Sequence, residues 1–164
     1  MRVRPADLED LPALHATYTH HVKTGLGTFE TVPPELSEFQ ARYVAVMEAG
    51  FPYLMAESNG KVLGYAYAAQ YRPRAAYSET VEDSVYVAPD AIGRGIGKAL
   101  LTELIQRCAR LGKKQMLAFI GDSQNAASIG VHRACGFVDV GVLTSVGQKF
   151  ERQVDVVIMQ RALA

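Results

Sequence analysis

Gly93-Arg94-Gly95-Ile96-Gly97-Lys98 separates two apolar segments of different period. Before it, Glu82 to Val87 reads as a strand closed by Pro89-Asp90. After it, Leu100, Leu101, Leu104, Ile105 and Cys108 recur at helical spacing, which predicts a helix from about Gly97 to Leu111 with Gly112 as its stop. A glycine turn from strand into helix gathers free backbone N–H groups at the positive end of the helix dipole, where a phosphate is favoured. Two nucleotide motifs fail. A P-loop needs one more residue between its glycines and a Ser or Thr where Ala99 stands, and G-x-G-x-G is not the G-x-G-x-x-G of a dinucleotide fold. On its own residues the loop fits a phosphate cradle and a plain tight turn equally well.

Upstream, Tyr53 to Glu57 and Val62 to Ala69 are strands joined by Ser58-Asn59-Gly60-Lys61, a strong hairpin signal. Val3 opens an earlier strand. A helix follows with Leu8, Leu11, Leu14, Tyr18 and Val22 inward, Asp7 or Asp10 as its cap and Pro12 in its first turn. A second helix spans about Glu35 to Ala49, with Leu36, Phe39, Tyr43, Val46 and Met47 on one face. Downstream come a strand at Met116 to Ile120, a helix from Asn125 to Cys135 ended by Gly136, and strands at Val138–Thr144 and Val154–Met159. This order describes an α/β layered chain, a mixed sheet with helices on both faces, in one domain over 1–164.

The chain has 164 residues, 49% hydrophobic and 21% charged, which argues against general disorder. Seventeen basic and seventeen acidic residues leave no net charge, so nucleic acid is not an expected partner. No apolar run approaches a membrane span, and the start, Met1 to Asp7, has no leader-like apolar region, so a cytoplasmic protein is expected. Cys108 and Cys135 suggest neither a disulfide framework nor zinc, and nothing nearby prepares Cys135 as a nucleophile. His20 and His21, adjacent on a helix, point to different faces and read as a wet helix end; no metal is expected.

A second pattern, Asn125-x-x-Ser128-x-x-x-His132-x-x-x-Gly136-Phe137, joins the glycine loop. Together they resemble the GNAT superfamily of acetyltransferases, and the resemblance covers almost the whole chain. It implies the GNAT fold, a mostly antiparallel sheet of about seven strands, and acetyl-CoA as co-substrate. It also implies coenzyme contacts from Val85, Tyr86, Val87, Gly93, Arg94, Gly95, Ile96, Gly97, Lys98, Asn125 and Ser128. Ile92 takes the place of the usual polar first residue of the loop. Tyr53-Leu54, Gly64-Tyr65-Ala66, Arg72 to Tyr77, Glu82-x-Ser84-Val85-Tyr86-Val87, and Lys149 with Asp155 and Gln160-Arg161 are similar to the phosphinothricin and methionine sulfoximine acetyltransferases. Within that group, Ser123 to Ser128 and Val146 to Phe150 look more like the sulfoximine branch, and Gln153-Val154 replaces the Trp-His of herbicide-detoxifying members. Methionine sulfoximine or its sulfone is therefore the first expected substrate and phosphinothricin the second. Relatives of this kind also imply a homodimer.

Acetyl transfer to an amine needs a deprotonated nucleophile, a polarised carbonyl and a proton for the departing thiolate. An α-amino group with a pKa near or above about 7.7–8.0 arrives mostly protonated; the resemblance implies Glu82 as the base, where the residue alone would also read as an ordinary exposed strand carboxylate. The resemblance also implies a backbone N–H along Val85 to Val87 as the polariser. An imidazolium at His132 could protonate a thiolate of pKa about 8.5, or the ring could simply pack. Arg72 and Arg74 suit a carboxylate or a sulfoximine oxygen pair, with Ala75, Ala76 and Tyr77 completing that loop. Phe29 and Glu30 are further pocket candidates. Acetylation of a peptide N-terminus or a polyamine, and a non-catalytic coenzyme A sensor, are the rival readings.

Overall fold

Side chains of a strand alternate between the two faces of a sheet, and here both faces are apolar. In the computed structural model, which describes residues 1–163, the elements run β1 (Arg2–Pro5), α1 (Leu11–Thr24), α2 (Leu36–Glu48), β2 (Tyr53–Ser58), β3 (Lys61–Gln70), β4 (Thr80–Val87), α3 (Ile96–Arg110), β5 (Gln115–Gly121), α4 (Ala126–Ala134), β6 (Val138–Lys149) and β7 (Arg152–Ala162). The seven strands form one sheet in the order β1-β2-β3-β4-β5-β7-β6. Every neighbouring pair is antiparallel except β4 and β5. The expected α/β class and mixed sheet are therefore present.

Leu54, Ala66, Val81, Met116, Ala118 and Met159 face α3, where Leu100, Leu101, Leu104 and Cys108 meet them. Tyr53, Met55 and Tyr65 face the other way, against Leu14, Tyr18 and Val22 of α1 and Phe39 and Tyr43 of α2. Alternation thus assigns β4 as well. Val81, Val85 and Val87 face the α3 layer, so Glu82, Ser84 and Tyr86 face the α1 layer.

The parallel pair is short. Thr80, Val81 and Glu82 lie opposite Gln115, Met116 and Leu117, and no further residue of β4 pairs with β5. Beyond Glu82 the strands part: β5 continues beside β7 while β4 continues beside β3. The sheet is thereby open along Asp83 to Val87.

Several expectations shift. Leu8 lies not on α1 but in a 3-10 turn, Leu8–Asp10, capped by Asp7, and is 54% exposed. The reciprocal bonds between Asp7 and Asp10 close that turn before the α-helix starts at Leu11. On α2 only Phe39 and Tyr43 are buried; Leu36 and Met47 look outward, because one layer of contacts with the sheet covers a narrower stripe than the apolar pattern offers. The last two strands are longer than expected and form one hairpin turning at Phe150-Glu151. The Asn59-Gly60 hairpin forms as read, with both residues at positive φ.

Candidate active site

The opening between β4 and β5 has a carboxyl at one end and a helix N-terminus at the other. Glu82 stands at the last paired position, opposite Leu117. Burial, and the neighbouring charge of Asp83, raise its pKa, while Arg72 pulls the other way. A carboxyl so raised is better matched to taking a proton from an amine than an exposed one.

At the far end Gly93 and Gly95 adopt positive φ, at 80° and 78°, a region glycine enters without steric penalty. Gly95 is the N-cap of α3 and supplies no capping side chain, and the first turn contains no acid. The first-turn N–H groups thus lack a side-chain acceptor, and Arg94 and Lys98 are exposed beside them. This donor set fits a pyrophosphate. Ile92 is 60% exposed, consistent with a loop acting through its backbone.

Between the two ends, Val85 and Val87 pack into the α3 core and Tyr86 into the α1 core, so their side chains are used in packing and their main chain borders the opening. His21, read as part of a wet helix end, is instead half-buried, its Nε2 2.7 Å from the Val87 carbonyl. The reason is tertiary: the last turn of α1 lies across the end of β4.

Asn125 and Ser128 form a cap. Asn125 Oδ1 accepts from the Ser128 N–H at 3.1 Å, and its Nδ2 donates to the Gly121 carbonyl at 3.0 Å. His132, on the next turn of α4, is buried, and both ring nitrogens are engaged. Nδ1 is 2.8 Å from the Ser128 carbonyl and Nε2 is 3.0 Å from Asp83 Oδ1. Burial would lower its pKa, but the hydrogen bond and charge of Asp83, with the Ser128 carbonyl, outweigh it and the net direction is upward. Glu82 and His132 therefore approach the opening from opposite faces of the sheet.

The loop after β3 is exposed from Arg72 through Tyr77. Arg72 lies over the Tyr71 ring, 5.0 Å from its centroid. Tyr71 meets Tyr77 edge-on at 5.3 Å and stacks on Phe119 at 5.8 Å. Arg74 has no side-chain partner among the described residues, and Ala75 and Ala76 begin a 3-10 turn. Gln70 Nε2 donates to the Arg72 carbonyl at 2.8 Å, tying the loop back on β3.

Phe29 inserts between two glycines. A Cβ at Gly121 would stand 2.6 Å from Phe29 Cε1, and one at Gly147 2.8 Å from its Cδ2. The Glu30 carboxylate is occupied by Arg42 and the Tyr18 hydroxyl, with Arg42 the main reason its pKa is lowered. Lys149, buried, donates from Nζ to the Thr28 carbonyl at 2.8 Å and holds the same loop against the β6–β7 hairpin. Asp83, His21, Tyr71 and Phe119 were not picked out by motif. Asp83 alone left a sequence signal, a charge on the apolar register of Val81 and Val85. Among the described residues no three His, Cys, Asp or Glu side chains cluster to hold a metal.

The family described as acetyltransferase (GNAT) matches residues 14–137, and the chain belongs to it. A phosphinothricin N-acetyltransferase of Alcaligenes faecalis is 58% identical over 98% of this chain and 82% of its own length. An L-methionine sulfoximine/L-methionine sulfone acetyltransferase of Pseudomonas paraeruginosa is 42% identical over 96% of this chain and 92% of its own. Identity over the full length thus runs opposite to the short segments around Ser123 and Val146 that resemble the sulfoximine branch. The crystal structure of a phosphinothricin acetyltransferase from Sinorhizobium meliloti with acetyl-CoA superposes with a TM-score of 0.97 at 43% identity, over 99% of this chain and 88% of that one.

Proposed function

We propose that this chain moves the acetyl group of acetyl-CoA to the α-amino group of a small amino-acid analogue, phosphinothricin or methionine sulfoximine and its sulfone, by direct attack in a ternary complex. The observation that carries this reading is the sheet opening that starts at Glu82 and ends at the uncapped N-terminus of α3. Gly93 to Lys98 hold the pyrophosphate, and the main chain of Val85 to Val87 receives the pantetheine arm and polarises the thioester oxygen. Asn125 and Ser128 set the start of α4 beside that arm. Acetyl-CoA, once bound, supplies the electrophilic carbonyl.

Glu82 takes the proton of the attacking amine, and its raised pKa makes it a stronger base than an exposed carboxylate. His132 supplies the proton for the departing sulfur. Arg72 and Arg74 hold the acceptor's carboxylate, and Tyr77 with Phe29 encloses its side chain. Glu30 acts on the pocket only through the loop it secures, since its carboxylate is already paired.

The chain works as one domain in the cytoplasm and as a homodimer. Two buried, unpaired cysteines suit a reducing compartment. Strand β6 forms an open sheet edge, with Val138 65% and Val146 57% exposed, and a second copy would cover it. No described helix is long and apolar enough to cross a membrane.

The decisive experiment is release of coenzyme A thiol from acetyl-CoA with phosphinothricin, methionine sulfoximine, methionine sulfone, common amino acids, a polyamine and a short peptide. Saturable turnover confined to the analogues is expected. Preference for the peptide or polyamine overturns the substrate, and tight acetyl-CoA binding without turnover of any amine returns the chain to a sensor.

A further inference from the structure

Neighbouring residues of a strand face opposite sides, so Glu82 and Asp83 put two carboxyls on the two faces of the sheet at the same point of the opening. Asp83 is out of solvent, its side chain 3% exposed, and that of His132 is 4% exposed. The Ser128 carbonyl can only accept, so the Nδ1 it meets at 2.8 Å carries a hydrogen. That leaves Nε2, 3.0 Å from Asp83 Oδ1, and one proton on the line between them. With the proton on nitrogen the pair is imidazolium and carboxylate; with it on oxygen both are neutral. The net charge is zero in either case. Without that proton two acceptors face each other inside the protein, an arrangement burial penalises strongly.

Asp83 is coupled to one other carboxyl, Glu82, whose pKa its charge raises. On the α3 side lies the Cys108 thiol, which burial pushes up to about 12 and so keeps protonated. On the same strand's other face lies Glu82, and β5 presents Met116, Ala118 and Ile120 to this layer. The Phe137 ring stands edge-on to His132 at 5.0 Å. Asp83 Oδ2 has no hydrogen-bond partner among the described residues although it is buried. A carboxyl with an unsatisfied oxygen in an otherwise apolar layer is costly to the fold, and that cost calls for a use beyond packing.

We propose that Asp83 is a positioning residue for acetyl transfer: it keeps a proton on His132 Nε2 at the open seam of the sheet. The inference rests on the reading of that seam as the acetyl-transfer site. The amine nitrogen bonds to the thioester carbon and gives up a proton to Glu82. The C–S bond breaks with its electron pair on sulfur, which takes the Nε2 proton out of its bond with Asp83 Oδ1. A neutral imidazole then faces the Asp83 carboxylate, and the proton released by the amine restores the pair through solvent. Unpaired and buried, the imidazole would be neutral near pH 8 and would have no proton to give.

The test uses the whole chain, with imidazole nitrogen NMR and a pH profile of kcat. In the wild-type protein alone, His132 should keep both ring nitrogens protonated to higher pH than a free histidine, which loses one near about 6.5. In Asp83→Asn, which is nearly isosteric, His132 should be neutral above about pH 6.5. The kcat of this variant should fall about tenfold at pH 8, its alkaline limb moving at least one unit lower, with KM for acetyl-CoA within about twofold of wild type. Titration of wild-type His132 near 6.5 overturns the proposal without any variant, and so does an unchanged kcat profile in Asp83→Asn. If no amine is turned over, the functional reading fails and this role with it, while the NMR result still reports the pair.

Discussion

Glu82 faces Leu117 across the last rung that joins β4 to β5, and one residue later the two strands have separated. The carboxyl is therefore held by a paired backbone while its side chain stands at the mouth of the opening. Rigid support of this kind is what a general base needs, because small displacements of the reacting groups cost large factors in rate. Glu82→Gln keeps the shape and removes the proposed base. Its kcat should drop roughly a hundredfold or more with acetyl-CoA affinity unchanged, measured by steady-state kinetics and calorimetry; undiminished turnover would remove Glu82 from the reaction.

Phe29 lies where Gly121 and Gly147 leave room for it, linking the loop after α1 to strands at the far side of the sheet. A methyl at Gly147 must displace the ring. Gly147→Ala should destabilise the protein by about 1–3 kcal/mol in denaturant titrations and raise KM for the amine more than that for acetyl-CoA. Gly141, on the same strand, has open space around its Cβ position, and Gly141→Ala is the control, expected to be nearly neutral.

Arg72 is exposed, rests on the Tyr71 ring and reaches Glu82 electrostatically. Its proposed role as a carboxylate fork predicts that Arg72→Ala raises KM for an amino-acid acceptor about tenfold or more and leaves KM for acetyl-CoA alone. A decarboxylated acceptor analogue should be indifferent to the change. Equal losses with both acceptors would mean that the arginine acts on the loop rather than on the substrate.

Two charged pairs pull stability in opposite directions with pH. Arg4 forks onto Asp10 with two bonds of 2.8 Å and lowers its pKa, so the stabilisation is present above the ordinary carboxylate range and is lost as pH falls through the folded value. Asp10→Asn should cost about 1–2 kcal/mol at pH 7, and the difference should shrink below about pH 4. His132 is raised instead, so its contribution is complete below about 6.5 and is lost as pH rises through the folded value. Thermal melts of His132→Gln against wild type should converge at high pH and diverge toward pH 6.

The β6–β7 turn places Phe150 and Glu151 at φ of 53° and 59°. Neither residue enters that region without strain, which costs of order 1 kcal/mol each. Glu151→Gly should raise Tm by about 2–4 °C, read by differential scanning calorimetry, while Gly60→Ala in the Asn59-Gly60 turn should lower it. A neutral or negative effect of Glu151→Gly would show that the surroundings of the turn, not its backbone, set its stability.

Some of this was legible in the residues alone. The apolar runs of β2, β3 and β4, the helical period after Gly97 and the Asn59-Gly60 turn are local patterns, legible before any tertiary contact is known. The β6–β7 hairpin was not legible because Phe150-Glu151 carries none of the turn chemistry that marks Asn59-Gly60. The exposure of Leu36 and Met47 was hidden for a different reason: an apolar stripe states what a helix is able to bury, not how wide a neighbour it will find.

The site divides in the same way. Glu82 and His132 are legible as candidates through the resemblance to the GNAT family, and the glycine loop also through its place between a strand and a helix. Which face each one occupies, that Asp83 and not solvent meets His132, that Glu30 is already paired, and that Phe29 needs two distant glycines are facts of the tertiary structure. They depend on where β4 leaves β5 and on contacts such as Lys149 with Thr28, between residues far apart along the chain. The sequence by itself determined most of the elements and marked the candidate groups, since propensity and period act over a few residues. Only the packed sheet decided which groups meet, because that depends on distances of about 3 Å that no local pattern encodes.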